Sequence, residues 1–320
     1  MTERAIGMDS QQRTVATPDG LALAVHVHAR PDTPAYVPTV VLAHDWGLTH
    51  RSWDGVLARL APAGLRVITW DQRGHGGSGL GLNRKTLDEL TIDHFGRDLH
   101  AVIRTLVPPA SPVVLVGHSL GGMTAMSYMG QHLKEARTRV AGAVLVSTAA
   151  VDVRLGQSGK SRFAKRLMGG GPDPYDPPVR GNNHRAILFG DDPDPAAVAV
   201  VNEQVSATDP AVLRASYRAF CQADVRKAFE LLMDVPVSIL TGAKDTMTPP
   251  TRARAMTIPL TKARFAALRG MGHALPYESP ERIVDELRWV LMTARDLMQA
   301  RAARRSAPHE GPQSPSAPAS

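Results

Sequence analysis

Gly117-His118-Ser119-Leu120-Gly121-Gly122, set directly behind Pro112-Val113-Val114-Leu115-Val116, decides the fold of this chain. The apolar run reads as a short buried strand. Leu120 to Met129 reads as the start of a helix, with Leu120, Met123, Thr124 and Tyr128 near helical spacing. A serine is therefore held at a sharp strand-to-helix turn. Backbone segments approach so closely at such a turn that only residues without a Cβ fit on either side, and Gly117 and Gly121 supply that room. The turn lifts the Ser119 hydroxyl above the sheet and aims helix N–H groups toward it. This is the G-x-S-x-G pattern of a nucleophilic serine, in the strand–turn–helix setting that the pattern requires. The alternative is a glycine-rich turn whose serine only caps the helix.

Outward from that turn, apolar runs alternate with helical patterns. Thr39–Ala43 (TVVLA), Leu65–Trp70 (LRVITW), Ala141–Ser147 (AGAVLVS), Val237–Leu240 (VSIL) and Arg264–Leu268 (RFAAL) read as strands, most of them buried on both faces. Arg51–Leu60, Thr91–Leu106 and a closing stretch at Pro280–Ala300 read as helices. Thr14–Thr17 and Leu21–Ala29 flank Pro18-Asp19-Gly20 and predict a β-hairpin. Alternating strands and helices imply right-handed crossovers. The expected fold class is α/β, a mostly parallel central sheet with helices on both faces. The pattern changes after Ala150, where Gly169–Pro174 and Asp176-Pro177-Pro178 predict an irregular loop. Asp194-Pro195 and Asp209-Pro210 then read as helix starts with Asp at the N-cap and Pro at the first helical position. The expected organisation is a loose lead-in over 1–12, a core over 13–150 and 235–300, an inserted helical cap over 151–234, and a disordered Pro/Ser/Ala-rich tail over 301–320.

Composition narrows the function classes. The chain has 320 residues, is 43% hydrophobic and 21% charged, and carries a net charge of +7, which is globular composition. The basic residues are scattered or gathered at the C-terminus, with no stripe interleaved with aromatics, so no nucleic-acid partner is expected. No run of about 18 apolar residues exists, so no membrane span is expected. The one cysteine, Cys221, excludes an intramolecular disulfide, agrees with a cytoplasmic location, and reads as a small buried hydrophobe.

A serine hydroxyl is a weak nucleophile and needs a base within hydrogen-bond reach, itself oriented by an acid. Strand Val237–Leu240 runs into Thr241-Gly242-Ala243-Lys244-Asp245, which puts Asp245 at the carboxyl end of a strand, where α/β sheets place their ligands. Asp191, Asp192 and Asp194 lie in the expected cap and compete poorly. Of the 12 histidines, His273 in Gly270-Met271-Gly272-His273 combines a position past the last strand with glycine flanks. His118 adjoins Ser119 in the chain and reads as a packing residue. An oxyanion needs two backbone donors, and the amide of Leu120, directly after the serine, is one candidate. The amide of Trp46, in the loop His44-Asp45-Trp46-Gly47, is the other. Asp71-Gln72-Arg73-Gly74-His75-Gly76-Gly77-Ser78 lacks both phosphate-binding glycine patterns and reads as a structural loop under the oxyanion segment. No cluster has metal-ligand spacing, and no cofactor or metal is expected.

Taken together, these segments resemble the α/β-hydrolase superfamily over 13–150 and 235–297. They are closest in appearance to its capped esterase and lipase branch, which also holds cofactor-free haloperoxidases (perhydrolases) and carbon–carbon bond hydrolases. The resemblance implies a Ser119–His273–Asp245 triad and an oxyanion hole from the amides of Trp46 and Leu120. The chain departs from the family at His44-Asp45, where the usual pair is His-Gly. Asp tolerates a left-handed backbone better than most residues, but a carboxylate aimed into the site would oppose an oxyanion. Asp45 is expected to point away or to be paired. The serine nucleophile argues against the aspartate-ester chemistry of haloalkane dehalogenases and epoxide hydrolases.

The favoured function is hydrolysis of a small-molecule carboxylic ester, or a related acyl substrate, through an acyl-enzyme on Ser119. A perhydrolase-like or carbon–carbon bond hydrolase reaction on the same triad is one alternative, and a non-catalytic ligand-binding role is another. The oligomeric state is left open by the residues.

Overall fold

Valine and isoleucine dominate the apolar runs, and their branched side chains pack well on a pleated surface buried on both sides. The computed structural model describes residues 9–30, 32–79, 87–151, 177 and 184–306. Its strands are β1 (Asp9–Ala16), β2 (Ala22–Ala29), β3 (Thr39–Ala43), β4 (Arg66–Trp70), β5 (Val113–His118), β6 (Val140–Val146), β7 (Val237–Gly242) and β8 (Arg264–Leu268). They form one sheet in the order β1-β2-β4-β3-β5-β6-β7-β8. The hairpin strands β1 and β2 pair antiparallel, β2 meets β4 antiparallel, and the rest is parallel. The expected α/β class with a mostly parallel sheet is the observed one.

The helices are α1 (Asp54–Leu60), α2 (Ile92–Leu106), α3 (Leu120–Gln131), α4 (Leu133–Arg139), α5 (His184–Leu188), α6 (Pro195–Ala207), α7 (Pro210–Gln222), α8 (Phe229–Leu232), α9 (Pro250–Ala255), α10 (Leu275–Glu278) and α11 (Pro280–Ser306). Strand periodicity sorts the core into two layers. On one face Val41, Leu115, Leu145 and Ile239 pack with Phe95 and Leu99 of α2 and Met126 and Met129 of α3. On the other, Val40, Val114, Val116, Val144 and Leu240 pack with Val56 and Leu60 of α1 and Ile283, Leu287 and Val290 of α11.

Two boundaries and several short helices differ from the sequence reading. The strand expected from Thr14 starts at Asp9, because Asp9–Arg13 pair with Val25–Ala29 at the sheet edge, where a ladder needs no apolar side chains. The closing helix continues through Arg301–Ser306, residues assigned above to a disordered tail, since its Arg- and Ala-rich end has good helix propensity. The short helix α4 went unread. Asp194 and Asp209 cap α6 and α7 as expected, accepting from Ala196 N at 2.9 Å and Ala211 N at 2.7 Å. The loop expected at Gly169–Pro174, and residues 307–320, lie outside the described residues. Between β6 and β7 the described residues contain helices and one isolated bridge, Val151–Asp224, but no strand. Among the described residues no helix is long and apolar enough to cross a membrane.

One buried ion pair anchors the loop after β4. Arg73 Nε and Nη2 donate to Asp98 Oδ2 and Oδ1 at 2.6 and 2.5 Å, and the Asp98 side chain is fully buried. Truncating Asp98 leaves a guanidinium underneath the sheet's carboxyl end without its main partner. Asp98→Ala is expected to lower stability by about 3–5 kcal/mol in urea unfolding, and a loss under about 1 kcal/mol would contradict this account.

Candidate active site

Strand β5 ends at His118, and α3 begins at Leu120. Ser119 between them adopts φ 53°, ψ −112°, one of two non-glycine residues with positive φ among the described residues. Such a conformation is strained and persists only when the surroundings enforce it. They do so here by close approach: a Cβ on Gly121 would lie 2.1 Å from Ala43 O, and one on Gly117 2.4 Å from Gly121 O. Ser119 N donates to Val146 O at 2.8 Å, and Thr148 Oγ1 donates to Ser119 O at 2.7 Å.

Asp245 lies just past β7 and His273 just past β8, so all three residues sit at the carboxyl ends of parallel strands. His273 Nδ1 donates to Asp245 Oδ2 at 2.8 Å. Asp245 Oδ1 accepts from the amides of Met247 (2.9 Å) and Thr248 (2.8 Å), and Thr248 Oγ1 lies 2.8 Å from Oδ2. The carboxylate is thus fixed from several directions. His118 stacks obliquely on His273, and its Nε2 donates to His273 O at 2.8 Å, tying the serine turn to the histidine loop. That is the packing role expected of it.

The loop after β3 holds a feature that the sequence did not give. Asp45 points into the site. Its Oδ1 accepts from Trp46 N at 2.6 Å and, at a longer 3.4 Å, from Leu120 N; its Oδ2 stands 3.1 Å from His273 Nε2. The Ser119 hydroxyl also helps to hold this carboxylate ionised. Among the described residues no hydrogen bond joins Ser119 Oγ to His273 Nε2; Asp45 occupies that nitrogen. The expectation that Asp45 points away is corrected, and the expectation that it is paired is met. Its backbone is not left-handed either: the positive φ in this loop falls at Gly47, at 69°. Trp46 is buried and packs its indole on α7, where Nε1 donates to Leu213 O at 2.8 Å and the ring meets Tyr217 edge-on.

The electrostatics follow from burial and proximity. Burial works against a charged imidazole, but the carboxylates of Asp245 and Asp45 outweigh it and raise His273 to about 10. Burial likewise opposes ionisation of Asp45, yet His273, His118 and the hydroxyl of Ser119 hold it well below the usual carboxylate range. Both directions favour a charged imidazole between the two carboxylates. His118 is lowered to about 4 by burial and by His273. His44 is lowered to about 3 by burial and by His75. It donates Nδ1–H to Asp45 O at 2.7 Å and accepts from Gln72 N at 2.8 Å. Gln72 Nε2 donates to His44 O at 2.6 Å, so the Asp71–Ser78 loop braces the His44–Gly47 loop.

The helices between β6 and β7 grip the histidine loop. Leu188 O accepts from both His273 N and Ala274 N at 2.8 Å, and Asp191 N donates to Gly270 O at 2.9 Å. A Cβ on Gly272 would fall 2.4 Å from Phe189 C. Asp191 itself pairs with Lys244, and Asp194 caps its helix. Among the described residues, Asp45, His118 and His273 are the group with metal-compatible geometry, their donor atoms within 4.8 Å of one another. Sequence spacing could not show this, because the three come from the loop after β3, the end of β5 and the loop after β8.

A family profile described as "Alpha/beta hydrolase family" covers residues 40–286. The chain belongs to the alpha/beta hydrolase family. This hydrolase is 26% identical over 288 residues to the bifunctional esterase/perhydrolase DCH of Acinetobacter calcoaceticus, covering 85% of this chain and 97% of that protein. It is 37% identical over 117 residues to the probable oxidoreductase EphD of Mycobacterium tuberculosis, a match spanning 37% of this chain but only 18% of that protein. In structure it resembles the bromoperoxidase of Bacillus anthracis, with a TM-score of 0.69, 20% identity, and coverage of 88% of this chain and 100% of that one.

Proposed function

We propose that this hydrolase cleaves carboxylic esters through an acyl-enzyme on Ser119. The observation that carries the reading is the Asp245–His273 hydrogen bond at 2.8 Å, held beside a serine on a strained strand–helix turn. In this scheme His273, once neutral, takes the Ser119 proton as Oγ attacks the ester carbonyl. It returns that proton to the leaving alcohol, and then activates the water that releases the acid. Asp245 fixes the ring and stabilises the imidazolium, and the amides of Trp46 and Leu120 receive the oxyanion. We assign the helices between β6 and β7 the role of a cap that selects the substrate, over the expected span 151–234. A p-nitrophenyl ester series together with a fluorophosphonate probe tests the scheme; no turnover and no label on Ser119 would end it.

A specific pH dependence follows. kcat/KM reports the ionisation of the free enzyme. His273 acts as base only after losing the proton that two carboxylates stabilise, so kcat/KM should rise about tenfold per pH unit and level off near the His273 value of about 10. A plateau already reached at pH 7.5 would contradict the doubly paired imidazolium.

Perhydrolysis on the same triad is the second reading. It is favoured by the esterase/perhydrolase relative, which is matched over 97% of its length. Peroxide-dependent halogenation in the presence of acetate separates it from simple ester cleavage.

A further inference from the structure

The Asp45 carboxylate lies where a reaction product would lie. An acid formed at this serine would put one oxygen between the amides of Trp46 and Leu120 and turn the other to His273 Nε2. Asp45 Oδ1 and Oδ2 make those same contacts, at 2.6 and 3.4 Å to the amides and 3.1 Å to the imidazole. The side chain is 3% exposed and is held by its own loop, so it competes as an intramolecular ligand at high effective concentration.

We propose that Asp45 is a specificity-determining residue, a built-in mimic of the product carboxylate that fills the oxyanion hole until a substrate displaces it. The proposal rests on the acyl-transfer reading above for its consequence, but not for its geometry. Displacement has to be driven by binding elsewhere, because a neutral ester carbonyl is a poorer partner for two amides and an imidazolium than a carboxylate is. Small esters have no remote surface to bind and are rejected. Esters with a large acyl or alcohol part, able to engage residues away from the reacting carbon, use that contact to open the hole. The substrate class is therefore extended esters, with discrimination against acetyl-sized ones.

The ionisable groups that feel Asp45 are His44, His75, His118, His273 and Tyr277, and none is a free cation that would draw it elsewhere without leaving His273. Asp45 φ is not positive, so alanine fits the backbone there.

The test uses the full chain as wild type, Asp45→Ala and Asp45→Asn. The probes are sodium acetate, p-nitrophenyl acetate, p-nitrophenyl octanoate and a fluorophosphonate. In Asp45→Ala, acetate should shift the Trp46 and Leu120 amide resonances saturably, whereas wild type should show no such shift. The kcat/KM for p-nitrophenyl acetate should rise by about 10–100-fold in Asp45→Ala, and that for the octanoate by less, so that acyl-chain selectivity narrows. In Asp45→Asn, which keeps the volume, the His273 imidazole should titrate at lower pH than in wild type, a readout that also serves if the alanine variant does not fold. Acetate shifts of equal size in wild type and Asp45→Ala, or an unmoved His273 titration in Asp45→Asn, would overturn the proposal. Acetate uptake confined to Asp45→Ala, with no protein reacting with ester or fluorophosphonate, would support the occupied hole and refute the acyl-transfer reading instead.

Discussion

Replacing Ser119 with alanine is expected to lower p-nitrophenyl ester turnover by at least about 10⁴-fold and to abolish fluorophosphonate labelling, with little change in thermal stability. The argument is one of position. Ser119 is only 2% exposed, sits at φ 53°, and its hydroxyl acts on the buried Asp45 carboxylate, which keeps its contacts to Trp46 N, Leu120 N and His273 Nε2 when alanine is introduced. The strained backbone is enforced by the glycine contacts, which the substitution leaves in place. The chemistry should vanish while the turn survives. Asp245→Asn should reach a similar loss by a different route, because an amide facing His273 Nδ1 favours the wrong tautomer. Residual activity within tenfold of wild type in Ser119→Ala would mean that ester cleavage occurs without this serine.

Gly121→Ala is expected to destabilise the fold by about 3 kcal/mol or more. For a chain of this size that is roughly a 6–12 °C fall in melting temperature. The added methyl would meet Ala43 O at 2.1 Å and Ala43 C at 2.5 Å, which are backbone atoms of the central strand β3. No side chain is available to swing aside, so either α3 lifts from the sheet or β3 moves within it. Both routes also displace the Trp46 and Leu120 amides, so activity should fall with stability. A thermal melt within about 2 °C of wild type would show that the contact relaxes more easily than its geometry implies.

The sheet and its crossovers were legible because the inner parallel strands β3 to β7 are largely apolar runs rich in Val and Leu and mostly buried on both faces, whereas the edge strand β8 is only partly buried. Caps at Asp194 and Asp209 were legible because Asp-Pro satisfies two helix-start rules at once. Ser119, Asp245 and His273 could be nominated because each lies within a few residues of the carboxyl end of a strand, so chain order carries spatial meaning. The edge pairing of Asp9–Arg13 was hidden, since polar residues in a ladder leave no periodic trace. Asp45 was recognised as a departure but its direction was not, because side-chain aim depends on three loops meeting. Its contacts to Leu120 and His273 span 75 and 228 residues of sequence.

The double acceptance by Leu188 O has a bearing on how such a protein could be re-engineered. One carbonyl of the inserted helical segment fixes two consecutive amides beside the imidazole, so in the proposed scheme the insertion braces the histidine loop as well as selecting the ligand. Grafting a foreign insertion between Val146 and Val237 would therefore retune proton transfer together with ligand preference. Chimeras would inherit both traits as a package, unless the segment from Leu188 to Asp191 were kept from the host.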